Sequence, residues 1–337
     1  MLAMKLTKYQ IKRLVSNYDI GNIISCKKLE KGVVHHNWLM ETSQGKFVLR
    51  VAPKSKKLKD IFFEFQYLDY LRKAGFPYEL PLPISNKNGD TISRLDGHVF
   101  WVYRFIGGNV VDPWDKNELK QVAEMMACYH RVIETSGLDN GSKFGDSFHI
   151  DWILKELRRF KEKADDGEVK GRKETVFLRE VDDDIALASK LDGTGYSKLK
   201  KFPFHCDINP ENVLFENGRL VGVIDFDNVS YRNETIIRDI TTMLQYSCRK
   251  EGAKYMLDLD KAKFFLEEYK KHHSLTNSEI KFIPDLATSE YIDAFYYNYY
   301  LLENDPERGK IRRLTLYSKS AKWYHRNKEE IIKALTL

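Results

Sequence analysis

Two neighbouring stretches, Phe204-His205-Cys206-Asp207-Ile208-Asn209-Pro210-Glu211-Asn212 and Val223-Ile224-Asp225-Phe226-Asp227, decide how this chain of 337 residues is interpreted. Asp207 and Asn212 stand five positions apart around a proline, which favours a loop. Asp225 ends an apolar run 18 positions after Asp207. Between the two stretches, Asn217-Gly218 lies between apolar segments, which is the strongest local signal of a β-hairpin.

These polar residues are the types that phosphoryl transfer needs. One carboxylate accepts the proton of the attacking hydroxyl, while an amide oxygen and a second carboxylate hold Mg²⁺ across the donor phosphates. A lone His-x-Asp arises by chance in many proteins, and an aspartate at a strand end is often a turn or cap residue. The joint spacing of Asp207, Asn212 and Asp225 around a hairpin is much harder to obtain by accident, so we interpret it as functional.

The pattern His-x-Asp-x4-Asn, then a hairpin, then Ile-Asp-Phe-Asp resembles the aminoglycoside phosphotransferase and choline kinase superfamily of small-molecule kinases. The resemblance covers about residues 20 to 305, with its strongest motifs in 205–239. It implies an α+β, two-lobed protein-kinase-like fold. Residues 1–106 would form an antiparallel-sheet N-lobe with one helix that binds the nucleotide. Residues 107–337 would form a mainly helical C-lobe with the catalytic loop, the metal site and the acceptor-binding helices.

By this resemblance Asp207 is the catalytic base, and Asn212 and Asp225 are the Mg²⁺ ligands. Two roles stay open. His205 either acts in catalysis or orients the loop, and Asp227 is either a second metal contact or a helix or turn cap.

Two further segments match the family by position. Arg238-Asp239 corresponds to a pair that braces the catalytic loop, and Met126 to His130 corresponds to a helix ending in a histidine that packs under that loop.

The donor-phosphate side is less regular. Phe47 to Val51 takes the place of the third strand, where a kinase-like fold usually carries a lysine for the phosphates, and here the residue is Arg50. Glu64, on the following helix, is the natural ion-pair partner of Arg50, although a surface Arg–Glu pair of little energetic value is the alternative.

The nucleotide loop carries a weak signal, because the chain has neither G-x-G-x-x-G nor a P-loop motif. The resemblance places the loop at Lys31 to Asn37, with Gly32 as its one glycine and Asn37 at a family position. It also places adenine against the backbone of the strand that contains Tyr103 and Phe105. The expected donor is ATP, with GTP possible, together with Mg²⁺.

The acceptor is expected to be a small molecule with a hydroxyl group: an aminoglycoside, an amino alcohol, homoserine or a sugar-like compound. The aromatic run Tyr291 to Tyr300 is either a face for a cationic ligand or, as we favour, core packing. Asp285, Glu290 and Asp293 are either groups that receive a cationic substrate or a solvated acidic helix start.

Composition excludes several other classes. A net charge of +6 with 42% hydrophobic residues is typical of a globular chain. The basic runs Lys54 to Lys59 and Lys310 to Arg313 lack interleaved aromatics, so we interpret them as solvated faces and expect no nucleic-acid partner. The sequence has no apolar run of 18 residues, so we expect no membrane span. Its four cysteines lack CxxC spacing, which suggests reduced thiols in a cytoplasmic protein. Monomer and homodimer both stay open.

Three other functions are weighed against the small-molecule kinase. A protein kinase on the same fold is disfavoured because no Ala-Pro-Glu segment follows Asp225. A non-catalytic nucleotide-binding regulator is disfavoured because Asp207, Asn212 and Asp225 occur together. A nucleic-acid binder is suggested by charge alone.

Local patterns also predict individual elements. An amphipathic helix is expected near the N-terminus, hairpins at Thr42 to Gly45 and at Asn88-Gly89, and a helix from Asp60 to Lys73. A further helix is expected to begin at Asp112-Pro113, with Asp112 as a possible N-cap.

Overall fold

The computed structural model describes residues 7–29, 36–142, 150–166 and 171–336. The chain divides into two compact units. The first consists of Met1–Val110 and Val213–Ser230, and the second of Val111–Asn212 and Tyr231–Leu337.

The first unit is built on an antiparallel sheet of five strands in the order β1-β2-β3-β5-β4. These strands are β1 (Ile23–Leu29), β2 (His36–Thr42), β3 (Gly45–Val51), β4 (Ser93–Leu95) and β5 (His98–Arg104). Two helices accompany the sheet, α1 (Lys8–Val15) and α2 (Leu58–Lys73). Together with the helical second unit, this arrangement confirms the predicted α+β class.

The alternation of side chains along β3 separates two cores. Phe47, Leu49 and Val51 pack on one face in a cluster that includes residues of α1. Val48 packs on the opposite face against residues of α2, in a cluster that includes Trp101. Because successive side chains of a strand point to opposite faces, Arg50 shares the α2 face with Val48.

The segment Val213–Ser230 belongs to the first unit because short strands join it there. A three-stranded sheet has the order β6-β7-β8, formed by β6 (Asn109–Val110), β7 (Val213–Glu216) and β8 (Arg219–Val223). The backbone of Glu79 also bonds β8, donating to the Val221 carbonyl at 2.9 Å and accepting from the Val223 N–H at 3.1 Å. A 3-10 helix, Phe226–Ser230, follows and packs on α2.

The predicted lobe boundary near residue 106 assigned all later residues to the second lobe. By its contacts, the segment 213–230 instead groups with the first unit. The hairpin itself is as predicted: Asn217 and Gly218 both have positive φ, 51° and 73°, as a tight two-residue turn requires.

The second unit is mainly helical. Its described helices are α3 (Lys116–Glu134), α4 (Ile150–Asp165), α5 (Arg172–Ala188), α6 (Thr194–Ser197), α7 (Ile236–Ser247), α8 (Leu259–Lys270), α9 (Asn277–Ile280), α10 (Ile283–Asn304), α11 (Ile311–Arg326) and α12 (Lys328–Leu335). A short antiparallel pair, β9 (Arg249–Lys250) and β10 (Ala253–Leu257), lies between α7 and α8 in the chain.

Helix α10 runs through the core of the second unit, where it packs on α4, α5, α7, α11 and α12. Its aromatic run is mostly buried, as the favoured interpretation predicted: Tyr291, Phe295 and Tyr299 are among the core residues. Tyr297 and Tyr300 are exposed and stack on each other with their ring centroids 6.1 Å apart.

Two local predictions were wrong in position. The turn that joins β4 to β5 lies at Asp96-Gly97, with φ of 51° and 75°, whereas Asn88-Gly89 forms a turn before β4. Helix α3 begins after Asp115, whose carboxylate accepts the N–H groups of Asn117 and Glu118, so Asp112 is not its N-cap. For the helix, Asp115 rather than Asp112 makes the capping hydrogen bonds.

Within the described ranges, no helix combines the length and apolar character needed to cross a bilayer. All four cysteines are unpaired, as the sequence suggested.

Candidate functional site

The loop that carries Asp207 lies in the second unit and holds this side chain with two amides. One carboxylate oxygen, Oδ1, accepts the Asn209 Nδ2–H at 2.9 Å, and Oδ2 accepts the Asn212 Nδ2–H at 2.9 Å. The same amide nitrogens donate to the Asp207 carbonyl oxygen at 3.0 and 2.8 Å. The carboxylate is therefore fixed in orientation by residues two and five positions further along the loop.

A buried chain of hydrogen bonds supports this loop from below. Cys206 has a φ of 52°, an uncommon value for a non-glycine residue, and its N–H donates to Asp239 Oδ1 at 2.8 Å. The other oxygen of Asp239 accepts from His130 Nε2 at 3.0 Å, and His130 Nδ1 lies 2.8 Å from the Tyr269 hydroxyl. Burial lowers the pKa of His130, so the neutral ring is favoured, with the hydrogen on Nε2.

This geometry agrees with the brace that the resemblance implied for Asp239 and His130. The prediction that the helix ends at His130 was wrong, because α3 continues to Glu134. The neighbouring Arg238 has a different role, because it is buried and forms a short ion pair with Glu290 of α10.

His205 lies inside the protein. Its side chain is fully buried, and its backbone N–H donates to the Tyr129 hydroxyl at 2.6 Å. Of the two roles left open for His205, burial favours orienting the loop over contact with the reacting atoms.

The first unit contains the second group of predicted residues, arranged as a cluster of ionised side chains. The Nη2 atom of Arg50 lies 2.9 Å from Asp225 Oδ1 and 2.8 Å from Asp227 Oδ2. The guanidinium also lies 5.7 Å from the centre of the Trp101 ring. Two carboxylates thus bind one buried cation, which raises the pKa of Arg50 against the effect of its burial.

Glu64 has a different partner from the one predicted. Lys56 Nζ lies 2.6 Å from Glu64 Oε2 and 2.6 Å from Asp227 Oδ1, and its side chain is 0% exposed. The prediction that Glu64 pairs with Arg50 was therefore wrong in the choice of cation. Interpreting the whole run Lys54 to Lys59 as a solvated face was wrong for Lys56, which turns inward where its neighbours stay exposed.

Lys56 is the site residue that the sequence did not single out. It stands among four lysines within six positions, and nothing in residue type or spacing distinguishes it from the exposed Lys54 and Lys57.

Asp225 and Asp227 differ in what remains available to a ligand. Both oxygens of Asp227 are engaged by cations, and its side chain is 14% exposed. Asp225 has a φ of 67° at the end of the hairpin and keeps 47% of its side chain exposed. Asp227 thus bridges Arg50 and Lys56, and the two roles predicted for it, a metal contact or a cap, stay predictions.

The donor set fits a hard cation such as Mg²⁺. Asn212 uses its amide nitrogen for Asp207, which leaves its Oδ1 as an oxygen donor, and Asp225 offers an exposed carboxylate. The described part of the chain has no cluster of three His, Cys, Asp or Glu side chains suited to a metal. Asn212, in the second unit, and Asp225, in the first, stay predicted metal ligands.

The predicted nucleotide contacts divide into three cases. Gly32 lies outside the described residues. Asn37 pairs across the sheet with Arg50, and its buried Oδ1 has no hydrogen-bond partner in the described ranges. Tyr103 is buried, which raises the pKa of its hydroxyl to about 12, and this hydroxyl bonds Arg50.

Phe105 is the third case. Its N–H donates to the Lys46 carbonyl at 3.0 Å, so the sheet already uses the backbone donor that was predicted to bind adenine. Its partly exposed ring lines a groove of about 810 Å³ with Phe76, Tyr78 and Arg104. The cluster around Arg50 does not line this groove.

Of the three acidic residues of α10 that the sequence analysis singled out, two are occupied. Asp285 pairs with Lys328 at 2.6 Å, and Glu290 pairs with Arg238. Neither is a solvated helix start, and neither is free to receive a substrate cation. Asp293 has no ion-pair partner in the described part of the chain. Burial raises the pKa of its carboxyl, although the positive charges of Arg238 and Arg232 act in the opposite direction.

Comparison with known proteins places this architecture among phosphotransferases. The chain is 25% identical over 283 residues to homoserine kinase of Agrobacterium fabrum, covering 84% of this chain and 82% of that protein. The aminoglycoside phosphotransferase of Alicyclobacillus acidocaldarius superposes with a TM-score of 0.68 at 16% identity, over 99% of this chain and 98% of that one. A spectinomycin phosphotransferase solved with ADP and spectinomycin gives a TM-score of 0.69 at 13% identity, over 97% and 100%.

A sequence model of the phosphotransferase enzyme family matches residues 25–273, which is most of the chain. This range contains both the loop of Asp207 and the cluster around Arg50. The chain therefore belongs to the phosphotransferase enzyme family APH.

Proposed function

We propose that this enzyme transfers the γ-phosphoryl group of ATP, or of GTP, to a hydroxyl group of a small molecule that also carries an amine. The observation that carries the proposal is the carboxylate of Asp207, which is held by Asn209 and Asn212 on a loop braced by Asp239. A carboxylate fixed in this way is suited to accept a proton from an attacking hydroxyl, because no reorganisation is needed when the acceptor binds.

In this mechanism Asp207 orients the acceptor hydroxyl and takes its proton. Arg50 contacts the donor phosphates with its planar, permanently charged guanidinium, and Asp225 and Asp227 keep that group in place beforehand. Asn212 and Asp225, the predicted metal ligands, would hold Mg²⁺, which would supply positive charge to the phosphates. His205, buried behind the loop, keeps Asp207 in position.

An amine-bearing acceptor is supported by two independent points. The curated relatives are named for homoserine, a compound with a hydroxyl, an ammonium and a carboxylate group. In the second unit, Asp293 is the α10 carboxylate that is not already paired among the described residues. We assign Asp293 to the ammonium group of the acceptor, since an unpaired carboxylate at a partly buried position gains most from a cationic ligand.

The test is an acceptor panel with purified protein, Mg²⁺ and both nucleotides, read by release of the nucleoside diphosphate. Homoserine, ethanolamine, spectinomycin and a hexose without an amine make up a minimal panel. We expect release that depends on an amine-bearing acceptor and is weak with the hexose. Tight binding of Mg·ATP without release for any acceptor would contradict the proposal and favour a nucleotide-binding regulator.

Asp293→Asn refines the same assay. It should raise the KM for an amine-bearing acceptor while the KM for the nucleotide stays unchanged. Asp285→Asn, whose parent side chain is paired with Lys328, serves as the control within the same helix.

A further inference from the structure

The first unit buries a second cation close to Arg50, and its position is unusual for a lysine. Lys56 stands in the connection between β3 and α2, and its side chain is 0% exposed. A buried ammonium group is costly unless its charge is compensated at close range. Glu64 and Asp227, each 2.6 Å from Nζ, provide this compensation.

Asp227 connects the two cations. Its Oδ1 binds Lys56 and its Oδ2 binds Arg50 at 2.8 Å. A carboxylate whose two oxygens are held by different partners cannot rotate about its terminal bond without losing one of them. The contact with Lys56 therefore fixes the oxygen that Asp227 presents to Arg50.

The cluster also has a defined charge balance. Arg50 and Lys56 carry two positive charges, whereas Glu64, Asp225 and Asp227 carry three negative charges when ionised. Asp225 is the most exposed of the carboxylates, with 47% of its side chain accessible against 2% for Glu64 and 14% for Asp227. Lys56 therefore pairs with the two buried carboxylates, Glu64 and Asp227. Arg50 pairs with Asp227 as well, and also with the exposed Asp225.

We propose that Lys56 is a positioning residue for the donor phosphates, acting through Asp227 on Arg50. A single lysine on the third strand could both pair with the glutamate of α2 and contact the phosphates. In this chain two residues divide these roles. Lys56 anchors the α2 glutamate, and Arg50 contacts the phosphates. This inference rests on the proposed function, because it requires that Arg50 binds the nucleotide.

A simpler role for Lys56 would be to neutralise Glu64 and thereby stabilise the fold. The two roles differ in what happens when Glu64 loses its charge as well. A neutraliser becomes dispensable in a Glu64→Gln background, because no buried charge is left unpaired. A positioning residue does not, because Asp227 still loses its second partner.

The experiment compares Mg·ATP affinity and melting temperature for four proteins: wild type, Lys56→Met, Lys56→Met with Glu64→Gln, and Lys54→Met as the matched control at an exposed neighbouring lysine. We expect Lys56→Met to weaken Mg·ATP binding about tenfold or more and to lower the melting temperature. The double variant should regain most of the melting temperature but keep the loss of affinity. Lys54→Met should match wild type in both.

A double-mutant measurement tests whether Lys56 acts on Arg50 through Asp227. Asp227→Asn should weaken Mg·ATP binding, and adding Lys56→Met to it should cause little further loss, because both changes interrupt the same connection. Independent, additive losses would overturn the proposal.

The outcomes separate the inference from the function on which it rests. Wild-type affinity in the double variant, with normal Mg·ATP binding by the parent, overturns the role of Lys56 alone. Failure of the parent protein to bind Mg·ATP overturns both the role of Lys56 and the proposed function.

Discussion

The loop around Asp207 and the cluster around Arg50 hold their carboxylates by different means. Asp207 is held by neutral amides from Asn209 and Asn212, two and five positions away. Asp225 and Asp227 are held by Arg50 and Lys56, which lie 171 to 177 positions earlier in the chain. The loop therefore derives its geometry from local hydrogen bonds, whereas the cluster derives it from charges brought together by the tertiary structure.

The loop and the cluster should therefore respond differently to the loss of one side chain. Neutral amides orient Asp207 while leaving it a carboxylate that can accept a proton. Full charges in the cluster hold buried groups strongly, but removing one of them leaves its partner uncompensated.

The largest effect is expected from Asp207→Ala. If the loop supplies the base, kcat should fall by about 10²–10⁴-fold, the usual contribution of general base catalysis. Mg·ATP affinity should be unchanged, because the donor phosphates are assigned to Arg50. Steady-state kinetics and a nucleotide titration measure the two quantities. Glu211→Gln, at an exposed position of the same loop, is the control, and near wild-type turnover by Asp207→Ala would remove the assigned base.

Asp239→Ala tests the support below the loop. The change leaves the Cys206 N–H and the buried His130 without their acceptor, so the free energy of unfolding should fall by about 2–4 kcal/mol. Urea denaturation measures this loss.

Asp258→Ala is the comparison variant, because the Asp258 side chain caps the N-terminus of α8 by accepting the Lys261 N–H, its one side-chain hydrogen bond within the described ranges. Its loss should be about 1 kcal/mol. Equal losses for the two variants would show that the loop does not depend on Asp239 beyond an ordinary cap.

Asp184 in α5 extends the comparison to a carboxylate held by neither two amides nor a cation. It is fully buried, Oδ1 accepts the Ser318 hydroxyl at 2.9 Å, and Oδ2 has no hydrogen-bond partner among the described residues. Burial raises its pKa to about 7, while Lys322 lowers it and Glu180 and Asp183 raise it further.

The folded protein therefore holds a proton on Asp184 that the unfolded chain releases near pH 4. Stability should fall as the pH rises from about 4 to about 7 and stay level above, by at most about 4 kcal/mol. Asp184→Asn should remove this slope and stabilise the protein at pH 8 by about 1–2 kcal/mol. Denaturation at pH 5 and pH 8 tests it. The control is Asp182→Asn, at an exposed residue that is not among the groups that shift the pKa of Asp184. An unchanged slope in the Asp184 variant would contradict the assignment.

The smallest predicted effect concerns acid stability. Burial lowers the pKa of His130, whose surrounding groups are Asp239, Tyr269, His273 and Glu134. Because the unfolded chain takes up this proton near pH 6.5 and the folded protein does not, stability should fall as the pH drops below about 6.5, by at most about 1.4 kcal/mol per pH unit.

His130→Gln should flatten that part of the stability curve, and the exposed His272→Gln should leave it unchanged. The cluster of the first unit should not contribute a slope of this kind from its cations, because the pKa values of Arg50 and Lys56 are raised and both stay charged in this range. A slope that persists in the His130 variant would assign the acid sensitivity to another group.

The sequence predicted the loop well because its contacts are local. The spacing of Asp207 and Asn212 within one motif was enough to bring them together, and Asn217-Gly218 was enough to define the hairpin. The assignment of metal and nucleotide roles to these residues stays a prediction.

The cluster was predicted only in part because ion pairing over long separations depends on the tertiary structure. Arg50 and Glu64 were both identified, but Asp227, the partner of Arg50, was assigned to a metal or a cap. Lys56, which pairs with both Glu64 and Asp227, was assigned to the surface. The burial of Lys56 could not be predicted from its position in a run of lysines. It depends on the packing of α2 and the 3-10 helix, which carry its partners Glu64 and Asp227.

The assignment of Val213–Ser230 to the first unit has a consequence for the order of synthesis. When residue 110 leaves the ribosome, Arg50, Lys56 and Glu64 have already been made, but Asp225 and Asp227 have not. Arg50 therefore obtains its two carboxylate partners, and Lys56 its second one, only after more than a hundred further residues have been added. A fragment that ends at residue 110 would lack both the carboxylates and the strands that complete this unit, so expression of the first unit by itself requires that residues 213–230 be supplied with it.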